Sequence, residues 1–294
     1  MKKPQQKKHS TRNTLLVILG LLAAVILYYI VSSMFIHVVP VSVHVDVAQP
    51  IRIVHLTDLH NKQFGKNNEK LVEEVAAQKP DLIFMSGDML NRDDPDTDIV
   101  VALISDLSSM APIYYGYGNH EKIWEQNYGK NLRIILESAG AVVVDNDYLD
   151  LDLKGTALRI GGYMGFYPIS YMTTDDDAQE ALEDAFMKEF ENTDRVKLLI
   201  NHIPTGWIDW NYVDKQPVDL VFSGHYHGGV FRIPILDQGL YAPYVGWFPK
   251  FTKGVYAGKQ ATCILSAGLG SEYHVPRFNN PPEIVVVDLV PINE

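Results

Sequence analysis

Five apolar segments of the chain are each followed closely by aspartate, asparagine or histidine, and this pattern restricts the fold more than any other feature. The segments predict buried strands, and amphipathic helical stretches lie between several of them. Such alternation is typical of an α/β architecture, in which ligands bind at the carboxyl ends of the strands. In chain order, the polar residues are Asp58 and His60 after residues 51–57, Asp88 after 81–86, Asn119 and His120 after 113–115, His202 after 196–201, and His225 and His227 after 218–223.

Seven of these side chains have the chemistry of metal ligands. Imidazole and carboxylate groups suit divalent transition metals such as Mn, Fe or Zn. Seven candidates exceed the needs of one tetrahedral site, and they fit two metals about 3.5–4 Å apart that share a bridging carboxylate. Any one motif alone is also compatible with a capping residue, a turn or a structural histidine, so the prediction depends on the whole set: Asp58, His60, Asp88, Asn119, His202, His225 and His227.

The order of these motifs resembles that of the calcineurin-like metallophosphoesterase superfamily. Asp-x-His, Gly-Asp, Gly-Asn-His-Glu, Asn-His and Gly-His-x-His follow one another between about residues 53 and 229. The resemblance implies a four-layer α/β/β/α sandwich with two mixed sheets. It also implies two divalent metal ions, with a hydroxide that bridges them as the nucleophile.

The resemblance further implies a role for each residue. The metal ligands would divide into a first group of Asp58, His60 and His227 and a second group of Asn119, His202 and His225, with Asp88 bridging both. His120 would contact the phosphate and protonate the leaving oxygen, and Glu121 would orient His120. The expected substrate contacts are Asn119, His120 and Arg92, although a solvated loop charge is an equal alternative for Arg92.

Departures from other subfamilies narrow the resemblance. His60 replaces a glycine and Asn91 replaces a tyrosine ligand of the purple acid phosphatases, while the segment after Gly87-Asp88 keeps only the arginine, Arg92, of the Ser/Thr protein phosphatase motif. The glycines after His227, the aromatic stretch 237–258 and the closing segment 276–284 are similar to the YkuE-like bacterial membrane-associated branch. Related enzymes split the pyrophosphate of UDP-diacylglucosamine, which makes a lipid-linked phosphate the expected substrate class.

The N-terminal segment predicts a membrane anchor. Residues 14–36 are apolar over a length that spans a hydrocarbon core of about 30 Å, and they show no amphipathic period. The run is longer than the apolar region of a cleaved signal peptide, and no Ala-x-Ala site follows it. Five basic residues precede the span and the next one is Arg52, so the N-terminus is expected in the cytoplasm and the catalytic domain outside it.

The predicted organisation is a cytoplasmic basic tail (residues 1–13), a transmembrane anchor (14–36), an extended tether (37–50) and one catalytic domain (51–294). A formal net charge of −11 opposes binding to a nucleic-acid backbone. The expected partners are therefore the membrane and a phosphorylated small-molecule or lipid substrate. Residues 237–258 and 162–174 are candidate lids or membrane-interface loops, and a rigid arch is an equal alternative for the first.

These observations predict a dinuclear metal-dependent hydrolase of phosphoester or pyrophosphate bonds, for which a UDP-diacylglucosamine-type pyrophosphate or a phospholipid would be a substrate. Two alternatives stay open. One is a tethered phosphodiesterase or phosphomonoesterase that acts on soluble substrates. The other is a non-catalytic scaffold of the same fold, which is disfavoured because the sequence contains every expected ligand.

Overall fold

Two six-stranded sheets pack face to face in the computed structural model, which describes residues 7–165, 176–236, 238–242, 245–272 and 277–292. In spatial order, the first sheet contains β1 (His37–Val45), β16 (Glu283–Pro291), β2 (Ile51–Leu56), β3 (Leu82–Met85), β4 (Ile113–Tyr115) and β5 (Ala141–Val143). The second contains β14 (Gly254–Ala257), β15 (Thr262–Leu265), β9 (Leu220–Ser223), β8 (Val196–Asn201), β7 (Thr156–Tyr163) and β6 (Asp147–Leu153). Both sheets combine parallel and antiparallel pairs, which confirms the predicted fold class.

Helices cover the outer face of each sheet and complete four layers. The first sheet carries α2 (Glu69–Gln78), α3 (Asp98–Ser108), α4 (Asn119–Tyr128) and α5 (Leu132–Ala139), and the second carries α6 (Asp176–Glu191) and α7 (Thr205–Ile208). Successive residues of a strand point to opposite faces, so Ile53 packs between the sheets while Val54 packs under the helices. Leu198 and Leu199 divide in the same way in the second sheet. Burial on both faces explains why these strands are continuously apolar in the sequence.

The N-terminal helix stands apart from this core. α1 (Lys7–Met34) contains the segment Thr11–Tyr29, which is long and apolar enough to cross a membrane, and its side chains there are exposed in the structure. Near its end, the Tyr28 hydroxyl donates a hydrogen bond of 3.0 Å to Asn279 Oδ1, and its ring meets the edge of Phe278. These contacts join the apolar helix to the loop that precedes β16.

The tether predicted for residues 37–50 is wrong over most of its length. Residues His37–Val45 form β1, which pairs in parallel with β16 at the edge of the first sheet. The reason is the alternation of valines: Val39, Val41 and Val43 turn toward the space between the sheets, where they add to the core. The folded domain therefore begins at residue 37, directly after the helix.

Other differences are smaller and lie at edges. β6 alternates aspartate with apolar residues and pairs with the buried β7 at the edge of the second sheet, a strand that the sequence pattern does not predict. Within the aromatic stretch 237–258 and just before it, two short hairpins form from β10 (Arg232–Ile233) with β11 (Gln238–Gly239) and from β12 (Tyr241–Ala242) with β13 (Gly246–Trp247). The candidate lid at 162–174 falls mainly on residues 166–175, which lie outside the described residues.

Candidate metal centre

The carboxyl ends of strands from both sheets meet at one place and bring the predicted ligands together. Backbone hydrogen bonds connect the loops there: the Asp58 N–H donates to Gly87 O at 3.0 Å, and the His60 N–H donates to Asp88 O at 3.1 Å. The His225 N–H, from the second sheet, donates to the Asp58 carboxylate at 3.1 Å. All seven side chains belong to buried residues: Asp58, His60, Asp88, Asn119, His202, His225 and His227.

Three groups of ligand atoms overlap within this cluster, and the group of His60, Asp88 and His120 shares a residue with each of the other two. The atoms offered by Asp58, His60 and His227 all lie within 4.8 Å of one another, and so do those of Asp88, His202 and His225. Asp88 Oδ2 lies 3.1 Å from His202 Nε2 and 3.9 Å from His60 Nε2. One carboxylate oxygen thus lies within 4 Å of His202 from one group and of His60 from another, as a bridging ligand would.

The backbone at the ligands adopts a conformation that side chains ordinarily avoid. The φ angles are 51° at Asp58, 49° at His60, 51° at Asp88, 70° at His225 and 47° at His227. Residues other than glycine are uncommon at positive φ, and such strain concentrates at functional sites where the surrounding structure imposes it. The hydrogen bonds between the loops impose it here, which fixes the direction in which each ligand points.

A glycine allows the closest of these approaches. A Cβ atom at Gly224 would clash with Asp58 Oδ2 and with Thr57 Oγ1, so only glycine fits directly before His225. The short distance between this backbone and the Asp58 carboxylate allows the His225 N–H to hydrogen-bond it. The glycine of the Gly-His-x-His motif is therefore a packing requirement of the cluster.

Two buried polar atoms show that the cluster fits a cation. Asn119 Oδ1 and His60 Nε2 have no hydrogen-bond partner among the residues that the structure describes. A buried polar atom without a partner costs free energy, and a divalent cation would satisfy both atoms. His60 Nδ1 contacts Asn91 Oδ1 at 3.2 Å and His202 Nδ1 contacts Ser86 O at 2.7 Å, so each ring presents Nε2 to the centre, as supported metal ligands do.

The ionisation of these groups also suits metal binding. Burial lowers the pKa of His60 and of His227 well below the ordinary value and that of His225 to about 3, so these imidazoles are neutral and can bind a metal. Burial raises the pKa of Asp58 to about 6.

Asp88 and His202 form an ion pair without a metal. Burial would raise the pKa of Asp88, but His202 and neighbouring histidines hold it well below the usual range. Burial would lower the pKa of His202, but the Asp88 carboxylate raises it to about 9. A proton on His202 thus occupies the place that a metal ion would take, and metal binding must displace it.

His120 and Arg92 lie beside the ligands with a partner that the sequence did not reveal. The Arg92 N–H donates to His120 Nδ1 at 3.1 Å, which leaves the imidazole proton on Nε2. Glu272 Oε1 accepts a hydrogen bond from Arg92 Nη2 at 2.8 Å and lies 3.5 Å from His120 Nε2. Because burial lowers the pKa of His120 less than the Asp88 and Glu272 carboxylates raise it, that pKa lies above its ordinary value.

Glu121 has a different part from the one that the resemblance implied. Its buried carboxylate accepts hydrogen bonds from the N–H groups of Asp88, Met89 and Gly118 at 2.8–2.9 Å and from the Tyr115 hydroxyl at 2.7 Å. It therefore holds the loops after β3 and β4 together. The sequence signal for this role was the position of a glutamate in the first turn of a helix, which favours capping of nearby N–H groups.

A mainly apolar cavity of about 440 Å³ borders the centre. His227, Ser271 and Glu272 line it on the polar side. Its remaining lining residues are Val230, Phe231, Leu240, Tyr241 and Trp247. A substrate that reached the cluster through this cavity would pass between a charged side and an apolar side.

A model of the calcineurin-like phosphoesterase family matches residues 51–229. The chain belongs to this family. It is 27% identical over 257 residues to the metallophosphoesterase Cj0846 of Campylobacter jejuni, a match that covers 83% of this chain and 60% of that protein. It is 26% identical to the phosphodiesterase YaeI of Escherichia coli, covering 83% and 84%, and 26% identical to the metallophosphoesterase YkuE of Bacillus subtilis, covering 82% and 80%.

These similarities confirm the predicted superfamily and the resemblance to YkuE-like proteins. The chain spans 60% of the length of its Campylobacter relative and more than four fifths of the phosphodiesterase YaeI. Family membership makes this protein a metal-dependent phosphoesterase, which is a hydrolase.

Proposed function

We propose that the protein hydrolyses phosphodiester or pyrophosphate bonds at a dinuclear metal centre, and that its substrate is linked to a lipid. One observation carries the first part: Asp88 Oδ2 lies between His202 and His60, and each histidine belongs to a separate group of ligand atoms. The unsatisfied Asn119 Oδ1 adds a neutral oxygen ligand to the second group. The relative YaeI is a phosphodiesterase, which supports the reaction class.

The ligand groups suggest how two divalent ions would be held. Asp58, His60 and His227 would bind one ion, and the second ion would be bound by Asn119, His202 and His225. Asp88 would bind both. Ions such as Mn, Fe or Zn would supply positive charge for the phosphate and lower the pKa of water toward neutrality.

The chain's own groups would then position the phosphate. The guanidinium of Arg92 lies beside the cluster and donates to Glu272. Asn119 and His120 are the first two residues of α4. The Arg92 N–H fixes the His120 proton on Nε2, so His120 would donate this N–H to a substrate oxygen. Transfer of a proton to the leaving oxygen requires an imidazolium, which carries a proton on both ring nitrogens. His120 Nδ1 would first have to give up the hydrogen bond that it accepts from the Arg92 N–H.

Two features support a lipid-linked substrate. α1 would anchor the domain in the cell membrane, with the N-terminus in the cytoplasm and the catalytic domain outside. The cavity beside His227 has an apolar side that would suit an acyl chain, while the phosphate would reach the cluster. A UDP-diacylglucosamine-type pyrophosphate or a phospholipid has this combination of groups.

The test uses the full chain in mixed micelles with Mn²⁺, Fe²⁺ or Zn²⁺. We expect hydrolysis of bis-p-nitrophenyl phosphate, and faster hydrolysis of a diacyl pyrophosphate substrate than of the same head group without acyl chains. A folded protein that turns over none of these compounds with any divalent metal would contradict the proposed chemistry. Equal rates with and without acyl chains would favour a tethered enzyme for soluble substrates.

A further inference from the structure

The two short hairpins that follow the ligand His227 expose large apolar side chains to solvent. Ile235 is fully exposed, and the exposed fractions are 71% for Leu236, 68% for Trp247 and 61% for Phe248. Ile235 and Leu236 belong to the connection between β10 and β11, and Trp247 and Phe248 lie at the end of the neighbouring hairpin. The Phe248 N–H donates to Leu240 O at 2.8 Å, so the two hairpins adjoin, and exposed apolar side chains grouped in this way mark an interaction surface.

The backbone of these hairpins shows that the apolar residues are not ordinary turn residues. Ile235 has a φ angle of 73°, and Phe248 has one of 53°. Turns in water place glycine, asparagine or aspartate at such angles, and a β-branched residue there is strained. An isoleucine that is both strained and fully exposed gains nothing from its position in water, which indicates that its side chain lies in another environment.

A chain of aromatic contacts connects the hairpins to the apolar helix α1. The ring of Tyr28 meets Phe278 at 6.2 Å between centroids, and Phe278 stacks on Phe231 at 6.1 Å. The Arg232 N–H donates to Phe278 O at 2.9 Å, so the first strand of the first hairpin is tied to the same loop. The hairpins therefore lie beside the end of the segment that would leave the membrane.

We infer that the two hairpins, described over residues 231–236, 238–242 and 245–248, are a membrane-contact surface whose partner is the bilayer that α1 would cross. The inference rests on the proposed anchoring by α1, but not on the proposed chemistry. Continuity through Tyr28, Phe278 and Phe231 favours the bilayer over a second copy or another protein as the occupant. Aromatic and aliphatic side chains that enter the head-group region, such as Trp247 and Leu236, are the usual means of such contact.

Charge specifies the kind of contact. The formal net charge is −11, so an anionic bilayer would repel the domain as a whole. Lys250 is exposed beside the hairpins, with its ammonium group 4.7 Å from the Phe251 ring, and it offers one local positive charge. The contact therefore depends on apolar insertion, and it should form on a zwitterionic bilayer. It would also place the cavity next to the lipid, because Phe231, Tyr241 and Trp247 line that cavity.

The test is tryptophan quenching in proteoliposomes of the full chain. Vesicles of phosphatidylcholine with brominated acyl chains quench only those tryptophans that reach the bilayer. Trp124 and Trp207 are fully buried in the domain, and Trp210 is 41% exposed beside Tyr212 rather than beside the hairpins. We expect the tryptophan fluorescence of the wild-type chain and of Trp210→Phe to be lower in brominated than in unbrominated vesicles. The fluorescence of Trp247→Phe should be the same in both.

Each other outcome contradicts the inference at a defined step. Carbonate extraction of the protein from the vesicles would overturn both the anchor and the contact surface. Retention in the vesicles, with equal quenching of wild type and Trp247→Phe, would overturn the contact surface alone. Acrylamide in the aqueous phase provides a second measurement. If it quenches Trp247 in vesicles as strongly as it quenches a free indole in water, the hairpin is exposed to water. Protection from both quenchers would indicate a protein partner instead.

Discussion

The candidate metal centre and the two hairpins that follow His227 are neighbours, but they are stabilised in opposite ways. At the centre, polar side chains are buried, and hydrogen bonds between loops hold strained backbone at residues such as Asp58 and His225. In the hairpins, apolar side chains are exposed, and strained backbone at Ile235 has no comparable network among the described hydrogen bonds. Strain at the centre therefore occurs where buried side chains converge, whereas strain in the hairpins occurs where apolar side chains are exposed to solvent.

The largest expected effect comes from the residue that joins the two ligand groups. Asp88→Asn removes the charge of the bridging carboxylate but keeps its shape, so we expect the rate of diester hydrolysis to fall roughly 10³-fold, about 4 kcal/mol. Steady-state kinetics with saturating Mn²⁺ measure this rate. Asp152→Asn, at an exposed aspartate of β6, is the matched control and should keep wild-type activity. Substantial activity in Asp88→Asn would mean that Asp88 does not bridge.

The second effect is the pH dependence of metal affinity. His202 has a pKa of about 9 without metal, so below pH 9 a proton competes with the metal. We expect the affinity to fall about tenfold per unit as the pH decreases from 9 to 7, and more steeply below 6, where Asp58 also takes a proton. Calorimetry in buffers of different ionisation enthalpy counts the protons released. A constant affinity between pH 7 and pH 9 would contradict the ion pair of His202 with Asp88.

A smaller effect is expected at the border between the two regions. Glu272 holds Arg92 at 2.8 Å and places a negative charge where a phosphate would approach. Glu272→Gln should therefore lower the KM for a soluble diester about fivefold, or roughly 1 kcal/mol, and leave kcat nearly unchanged. Ser271→Ala changes the same cavity wall at a hydroxyl without a hydrogen-bond partner among the described residues, and it serves as the control. A higher KM in Glu272→Gln would show that Glu272 helps to bind the substrate.

The smallest effect tests the strain in the hairpins. Ile235→Gly relieves a φ of 73°, a conformation that costs an L-residue about 1–2 kcal/mol, while glycine adds about 0.5–1 kcal/mol of backbone entropy cost. The free energy of unfolding in detergent should therefore rise by about 0.5 kcal/mol, as chemical denaturation would measure. Ile235→Ala keeps the Cβ atom and should gain nothing. If both variants gain the same free energy of unfolding, the cause is removal of an exposed apolar side chain rather than relief of backbone strain.

The two regions also differ in how far the sequence predicts them. The ligands could be predicted because each follows an apolar strand and the carboxyl ends of such strands meet, so residues as distant as Asp58 and His227 could be placed together. The aromatic stretch could be noted from composition, but the hairpin geometry depends on turns that the pattern does not specify. Glu272 could not be predicted, because nothing in its surroundings in the sequence connects it to Arg92.

Edges of the sheets were the weakest part of the prediction for a related reason. β1 alternates apolar with polar residues, a pattern that also fits an extended tether, and β6 alternates aspartate with apolar residues. Edge strands have one pairing partner and a half-exposed surface, so their sequences carry less apolar signal than the central β2 and β3. Only the partner strand, β16 or β7, shows that these segments belong to a sheet.

The most direct test of a dinuclear centre joined by Asp88 is electron paramagnetic resonance of the chain loaded with Mn²⁺, together with its metal content. We predict two Mn²⁺ per chain with the spectrum of an exchange-coupled pair, as ions about 3.5–4 Å apart give. The coupling should be lost in Asp88→Asn. One uncoupled Mn²⁺ per folded wild-type chain would contradict the account.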